Sequence, residues 1–252
     1  MGSGKSRLLV VALWLLAAKV GQAQDGLWLA QVDSLWRQGA FEEALALLGD
    51  SLQRNPNAAE LRWRRSRVRV ELGLRAPDKE RQRELYRLGL KDARAAIAAD
   101  SLNSRAYVAA AIAAGRLALV SGPRAKVELA RQIRAYIDRA LALDPNGDIA
   151  YHLRGRWRYE VATLSFFERT LVRLIYGGLP DASLEEAAED FRRALALRER
   201  VVHHLELGRT LLRLGDRETA IQELKRALAL PPTDPDDTTY QEEARRLLAR
   251  IR

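Results

Sequence analysis

A short helix-ending pattern recurs along the chain and constrains its fold more than any other sequence feature. FEEALALLGDSLQRNP, DARAAIAADSLN, IDRALALDPNGD, FRRALAL and LKRALALPP share an alanine and an aliphatic residue, in most of them followed by Asp or Pro. Aligned at Ser51, Ala96, Ala140, Ala194 and Ala227, the segments recur after 45, 44, 54 and 33 residues. Self-similarity over such periods is the signature of a solenoid built from helix–turn–helix units.

The composition agrees with a helical solenoid. Hydrophobic residues make up 48 % and charged residues 30 % of the chain, as is ordinary for a folded domain. The last repeat resembles a tetratricopeptide repeat, with small residues where helices approach closely, glycine at the turn and a terminating proline (Gly208, Ala220, Gly215 and Pro232). We therefore predict an all-α solenoid of about five degenerate, expanded tetratricopeptide-like repeats.

The pattern also predicts individual helices. Residues 59–73 are predicted as a helix despite an alternating apolar pattern, because the repeat context outweighs it. The fourth repeat should contain an extra helix near 166–176, with Ser165 as its N-cap and Gly177 and Gly178 at its end. An amphipathic helix near 239–251 should close the last hydrophobic face of the solenoid, as a repeat array requires.

The first residues resemble a targeting signal rather than part of the fold. Lys5 and Arg7 precede an apolar run at 8–18, and small residues around Ala23 fit a signal peptidase site. We predict a cleaved signal peptide at 1–23, with an uncleaved anchor as the alternative, and a repeat domain at 24–252. The mature chain would then be exported, to the periplasm or beyond the cell. Without cysteine, it can form neither a disulfide nor a thiolate zinc site.

Three segments carry a family resemblance. They are GRWRYEVATLS at 155–165, the stretch 178–186 and the stretch 203–208. Together they resemble the tetratricopeptide-type domain of the regulator of microtubule dynamics family, over roughly residues 27–250. The resemblance implies a non-enzymatic adaptor, since family members in eukaryotes are adaptors, some at mitochondrial membranes and implicated in lipid handling or microtubule association. A signal peptide on an apparently bacterial chain argues against the microtubule role.

Catalytic and metal chemistry find little support in the sequence. The chain has three histidines, His152, His203 and His204, and no sequence context for an activated serine. Adjacent helical residues such as His203 and His204 point about 100° apart, so they cannot both bind one metal ion. We predict no enzyme activity, no catalytic or metal site and no cofactor, and place these histidines in helix packing.

A ligand groove is the first binding hypothesis. In tetratricopeptide arrays the first helices of the repeats line the concave surface, and arginines are enriched at the positions that face it. The candidate groove residues are Arg37, Arg67, Arg116, Arg156, Arg209 and Arg213, with Trp63, His152 and Tyr159 on the same face. Fixed guanidinium groups and aromatic walls would suit an acidic or extended peptide of an envelope protein. The alternative is that these arginines pair with acids such as Asp33, Glu71 and Glu160.

The extra helix provides the rival binding hypothesis. Its candidate lipid-facing residues are Phe166, Phe167, Leu171, Leu174 and Ile175. Exposed, this stripe could admit a lipid chain or lie on a membrane, whereas core packing is the alternative explanation. Five arginines between Arg62 and Arg69 would suit nucleic acid, but an exported chain seldom meets one, so no nucleic-acid partner is predicted.

Overall fold

The computed structural model describes residues 27–251, and within that range the chain forms twelve α-helices and no strand. The predicted signal peptide at 1–23 lies outside the described residues. The helices are α1 (27–37), α2 (Phe41–Arg54), α3 (Ala59–Leu74), α4 (Lys79–Ala99), α5 (Ser104–Leu119), α6 (Pro123–Leu143), α7 (Asp148–Ala162), α8 (Phe166–Tyr176), α9 (Leu184–Leu197), α10 (Val201–Leu214), α11 (Arg217–Ala229) and α12 (Asp237–Arg250).

Ten of these helices form five stacked pairs, which confirms the predicted all-α solenoid. Helices α1 and α2 share one hydrophobic cluster, and α3–α4, α5–α6, α7–α9 and α10–α11 pack as pairs. The first helices of successive pairs also meet, α3 with α5, α5 with α7 and α7 with α10. Helix α12 packs on α10 and α11 as the predicted cap, although it begins at Asp237, two residues before the predicted start.

Small residues allow the paired helices to approach closely. A Cβ atom at Gly208 would lie 2.8 Å from Leu224 Cγ, and one at Gly155 would lie 2.8 Å from the Phe191 ring. Ala220 has no exposed surface. The structure thus confirms the packing predicted for Gly208 and Ala220, since a larger side chain there would hold the helices apart.

The fourth repeat contains the three predicted helices, and local capping explains their limits. Ser165 forms a capping box with Glu168 at the start of α8, and Ser183 forms another with Glu186 at the start of α9. Gly177 ends α8 with a φ of 75°, a backbone conformation that glycine adopts without strain. Helix α8 lies outside the pairs and contacts α6.

Helix α3 is a helix, as predicted, although its sequence alternates like a strand. Its buried residues lie on more than one face, because α3 packs against α2, α4 and α5. Arginines in such a helix need partners from neighbouring helices, and these are described below.

Candidate functional site

Three of the six candidate groove arginines are held by carboxylates. Arg67 donates to Asp33 at 2.6 Å, and Arg156 donates to Glu206 at 2.7 Å and to Glu160 at 2.9 Å. Arg209 pairs with Glu243 of the capping helix. For these three arginines the ion-pair alternative describes what the structure contains.

The other candidate arginines differ in their surroundings. Arg37 and Arg213 are exposed, and neither has a carboxylate within ion-pair distance in the part of the chain that the structure describes. Arg116 is partly buried and interacts electrostatically with Glu71, Tyr86 and Tyr240. Among the six candidates, exposed guanidinium groups without a described carboxylate partner thus remain only near the two ends of the array, on α1 and α10.

Trp63 and Tyr159, two of the aromatic candidates, are largely covered by other parts of the protein. Trp63 is only 7 % exposed, since it belongs to a hydrophobic core cluster of α3 to α6, and the guanidinium groups of Arg64 and Arg67 lie 4.2 Å and 5.3 Å from its ring centre. Tyr159 is partly buried, with the Arg156 guanidinium 6.0 Å from its ring centre. The predicted combination of guanidinium forks and aromatic walls is therefore largely a set of internal contacts.

A polar cluster joins the second and third repeats to the start of the capping helix. We call Glu71, Arg75, Arg116, Asp236 and Tyr240 the central polar cluster. Arg75, at the end of α3, donates to Glu71 at 2.8 Å and to Asp236, before α12, at 3.0 Å. Burial, with Asp236 nearby, raises the pKa of Glu71 to about 7, and burial raises the pKa of Tyr240 to about 12. The array thus curves enough to bring the second repeat to the capping helix.

Two of the three histidines meet at the seam between α7 and α10. The Nδ1 atoms of His152 and His203 are 3.0 Å apart, and His203 Nε2 lies 3.3 Å from Asp148 Oδ2. Since Asp148 accepts, His203 carries its proton on Nε2, and His152 Nδ1–H donates to the bare His203 Nδ1. His152 keeps a small exposed edge, while its ring centre lies 5.5 Å from the Phe191 ring centre.

Burial sets the charge of this histidine pair. Burial, with the positive charge of Arg156 nearby, holds the pKa of His152 well below its usual range. Burial also lowers the pKa of His203, against the opposing attraction of Asp148. Burial alone would raise the pKa of Asp148, but hydrogen bonds from His203 and Arg200 hold it well below its usual value. The third histidine, His204, packs between Glu223 and Glu199 at 2.6 Å and 3.1 Å.

An arginine clamp on a buried aspartate occurs twice and was missed by the sequence analysis. Arg65 and Arg69 of α3 donate to Asp92 of α4, and Arg154 and Arg158 of α7 donate to Asp190 of α9. Both clamps use arginines four residues apart on the first helix of a repeat. Their aspartates stand at equivalent positions, four residues before Ala96 and Ala194. This repeated spacing is the sequence signal from which the two clamps could have been predicted.

Helix α8 exposes its apolar face. No residue of α8 is buried, and its five candidate lipid-facing side chains are between 41 % and 86 % exposed. Val172 and Tyr176, one helical turn apart, lie on its partly buried side. The core-packing explanation of the stripe is therefore wrong for Phe166, Phe167, Leu171, Leu174 and Ile175. The reason is that α8 is tethered at its end, where Arg131 Nη2 donates to the Gly178 carbonyl at 2.9 Å, rather than enclosed between other helices.

Residues 27–251 contain neither a membrane-spanning helix nor a metal-binding cluster. No helix in that range has the length and apolar character needed to cross a membrane. No group of three or more histidine and acidic side chains in the same range is arranged to hold a metal ion.

Stacked helix pairs closed by a capping helix define the class as a tetratricopeptide-type helical repeat protein. A thermophilic TPR protein of Thermus thermophilus matches the fold with a TM-score of 0.63 at 20 % sequence identity. The match covers 87 % of this chain and 97 % of that chain.

The sequence comparison identifies the family. The family described as Regulator of microtubule dynamics protein 1-3 matches residues 28–252, so this chain belongs to it. Regulator of microtubule dynamics protein 1 of Bos taurus is 28 % identical over 235 residues, covering 92 % of this chain and 73 % of the relative. The protein of the same name from Caenorhabditis elegans is 26 % identical over 223 residues, covering 87 % and 97 %. The family predicted from the sequence is thus confirmed.

Proposed function

We propose that this protein is a non-catalytic adaptor of the cell envelope that lies on an anionic lipid surface through the exposed face of α8. One observation carries the proposal: a capped amphipathic helix stands outside the solenoid with its five large apolar side chains in solvent. Contiguous apolar surface of this kind marks an interaction site on a folded protein. An amphipathic helix lying in the plane of a membrane interface has the same pattern.

The charges around α8 favour an anionic surface. Arg169 and Arg173 are exposed on α8 itself, and Lys126 of α6 lies close enough to Glu168 for their charges to interact. Each cation near an anionic leaflet contributes about 1 kcal/mol. Without Lys5, Arg7 and Lys19 of the predicted signal peptide, the formal charge of +9 falls to +6 and stays positive. Charge complementarity therefore supports anionic lipid headgroups, rather than a neutral apolar partner, as the ligand of the exposed face of α8.

The apolar gain alone gives only weak binding. Burial of a Leu or Phe side chain contributes about 1.5–3 kcal/mol, so insertion of these five partly exposed side chains gives about 5–10 kcal/mol. Loss of translational and rotational freedom on association opposes this by about 4–15 kcal/mol. The gain and the cost are similar, so binding should require anionic lipid and should weaken in salt.

Vesicle flotation tests the proposal. Phe167→Asp with Leu174→Asp removes about 2–4 kcal/mol of apolar transfer, so binding to vesicles of phosphatidylcholine and phosphatidylglycerol should weaken by about 30-fold or more. The matched control is Leu102→Asp with Leu119→Asp, which changes two leucines that are 70 % and 67 % exposed elsewhere. Equal flotation of both double variants would refute the role of α8. All four positions are exposed, so folding should be preserved.

The concave surface provides a second candidate site, for an acidic or extended peptide. The supporting observation is that Arg37 and Arg213 are exposed without a carboxylate partner among the described residues. The sharpest test uses these two positions, because reversal of Arg67, Arg156 or Arg209 would place like charges against their acidic partners. Arg37→Glu with Arg213→Glu should weaken the binding of a fluorescent poly-glutamate peptide at least about tenfold, and unchanged affinity would exclude this site.

A further inference from the structure

A depression between α7 and α9 contains more positive charge than its own carboxylates neutralise. Its volume is about 660 Å³, and it is lined by Tyr151 and four arginines, Arg154, Arg158, Arg192 and Arg193, together with Glu189 and Asp190. Four guanidinium groups thus face two carboxylates. Arg192 and Arg193 are exposed, and neither has an ion-pair partner within the described residues.

The floor of the depression is rigid. Asp190 is only 2 % exposed and accepts from Arg154 Nε and Nη2 at 3.0 Å and 2.6 Å, and from Arg158 Nη1 at 2.7 Å. Glu186, outside the depression, also pairs with Arg158 at 3.3 Å. These bonds order the Asp190 carboxylate and the guanidinium planes of Arg154 and Arg158 before any ligand arrives.

The rim pairs a tyrosine with two guanidinium groups. The guanidinium carbons of Arg154 and Arg193 lie 5.0 Å and 5.8 Å from the Tyr151 ring centre, one from each helix. The tyrosine hydroxyl can donate a hydrogen bond to an anion between the helices. Arg192 and Arg193 supply the remaining donors, and planar guanidinium groups match the oxygens of phosphate bidentately.

The other arginine clamp shows that this charge excess is not needed for folding. Asp92 is held by Arg65 and Arg69 in the same way, but the position equivalent to Arg193 is Ala95. Arg94, equivalent to Arg192, donates hydrogen bonds to Gln132 Oε1 and to the Tyr136 hydroxyl. The fold therefore builds the clamp without two free arginines beside it.

We propose that the depression between α7 and α9 binds a phosphate-bearing small molecule. Its volume exceeds that of a single phosphate and lies within the range of about 300–1,000 Å³ typical of small-molecule sites. Glu186, which pairs with Arg158 from outside, offsets one of the two excess positive charges of the lining, and the remaining positive charge favours an anionic group such as phosphate. The phosphate contacts Arg192 and Arg193, and the rest of the ligand lies along Tyr151. This site is separate from α8 and does not depend on the lipid proposal.

Isothermal titration with inorganic pyrophosphate tests the site on the full chain, at constant ionic strength. Arg192→Glu with Arg193→Glu should raise the Kd at least about tenfold. The matched control is Arg245→Glu with Arg246→Glu, which reverses an adjacent exposed pair on α12 and should leave the Kd unchanged. Equal binding by both double variants, or no pyrophosphate binding by the native chain, would overturn the proposal. Because Arg192 and Arg193 are exposed and form no ion pair among the described residues, their variants should fold normally.

A second measurement distinguishes the two sources of such a phosphate. Vesicles containing phosphatidic acid are offered to the Phe167→Asp, Leu174→Asp variant, whose α8 is expected to have lost lipid binding. Residual binding that disappears on adding Arg192→Glu and Arg193→Glu supports the site and assigns its phosphate to a headgroup. Pyrophosphate binding without residual vesicle binding supports the site and assigns it to a small molecule in solution. Loss of flotation with intact pyrophosphate binding separates the two proposals.

Discussion

Replacement of Glu71 by glutamine should make the protein lose stability on acidification, whereas the stability of the native chain should change little. The pKa values of His152 and His203 are lowered from 6.5 in the fold, so below about pH 6.5 the unfolded chain binds more protons and stability falls as pH falls. The pKa of Glu71 is raised from 4.5 to about 7, so the folded chain holds a proton that the unfolded chain releases. Stability from Glu71 therefore rises as pH falls through about 7.

The two effects are similar in size. Between about pH 7.5 and 5.5, a histidine that stays neutral in the fold lowers the free energy of unfolding by at most about 1.4 kcal/mol, so about 3 kcal/mol is the upper limit for the pair. Over the same range Glu71 raises it by about 2 kcal/mol. The native chain should show a small change, whereas Glu71→Gln should lose up to about 3 kcal/mol.

Urea unfolding at the two pH values, followed by circular dichroism, measures the change. In the Glu71→Gln background, His152→Gln should remove about half of the pH dependence, because one of the two neutral histidines is gone. If Glu71→Gln is equally stable at both pH values, His152 and His203 are not held neutral by burial, and the tautomers assigned at the seam are wrong.

Two further predictions concern helix packing and capping. Gly155→Ala should destabilise the chain by about 1–3 kcal/mol because the added Cβ meets the Phe191 ring. Gly115→Ala adds a Cβ in open space and should stabilise the chain by about 0.5–1 kcal/mol, and thermal unfolding of both variants checks the contrast. Ser165→Ala should remove a capping bond worth about 1 kcal/mol and speed amide hydrogen exchange in α8 about fivefold, with no change in the other helices.

Helix limits were predictable because their signals are local. Ser165 and Ser183 stand three residues before the glutamates that complete their capping boxes, and Gly177 marks the end of α8 within the same short stretch. The repeat architecture was equally predictable, since the recurring alanines mark the face on which helices pack. The start of α12 was placed two residues late because Asp237 sits in a turn-rich segment whose acidic residues suit either state.

The environment of each side chain was harder to predict from the sequence, because interacting partners lie far apart along the chain. Arg156 is separated by 50 residues from Glu206, and His152 by 51 residues from His203. A helical position predicts which face a residue occupies but not which acid reaches it from the next repeat. The apolar stripe of α8 was ambiguous for the same reason, since a core helix and an interfacial helix have the same period.

The arginines divide into two groups that the sequence cannot separate. Those clamped on a buried carboxylate, such as Arg154 on Asp190, are structural, because removal of one partner of a buried pair costs about 3–5 kcal/mol. Arg37, Arg192, Arg193 and Arg213 form no ion pair among the described residues, so they contribute little to folding. A basic chain neutralises part of its charge with its own carboxylates, and only the remainder can select a ligand. Mutational analysis of binding should therefore begin with these four residues, where a lost interaction would not be confused with a lost fold.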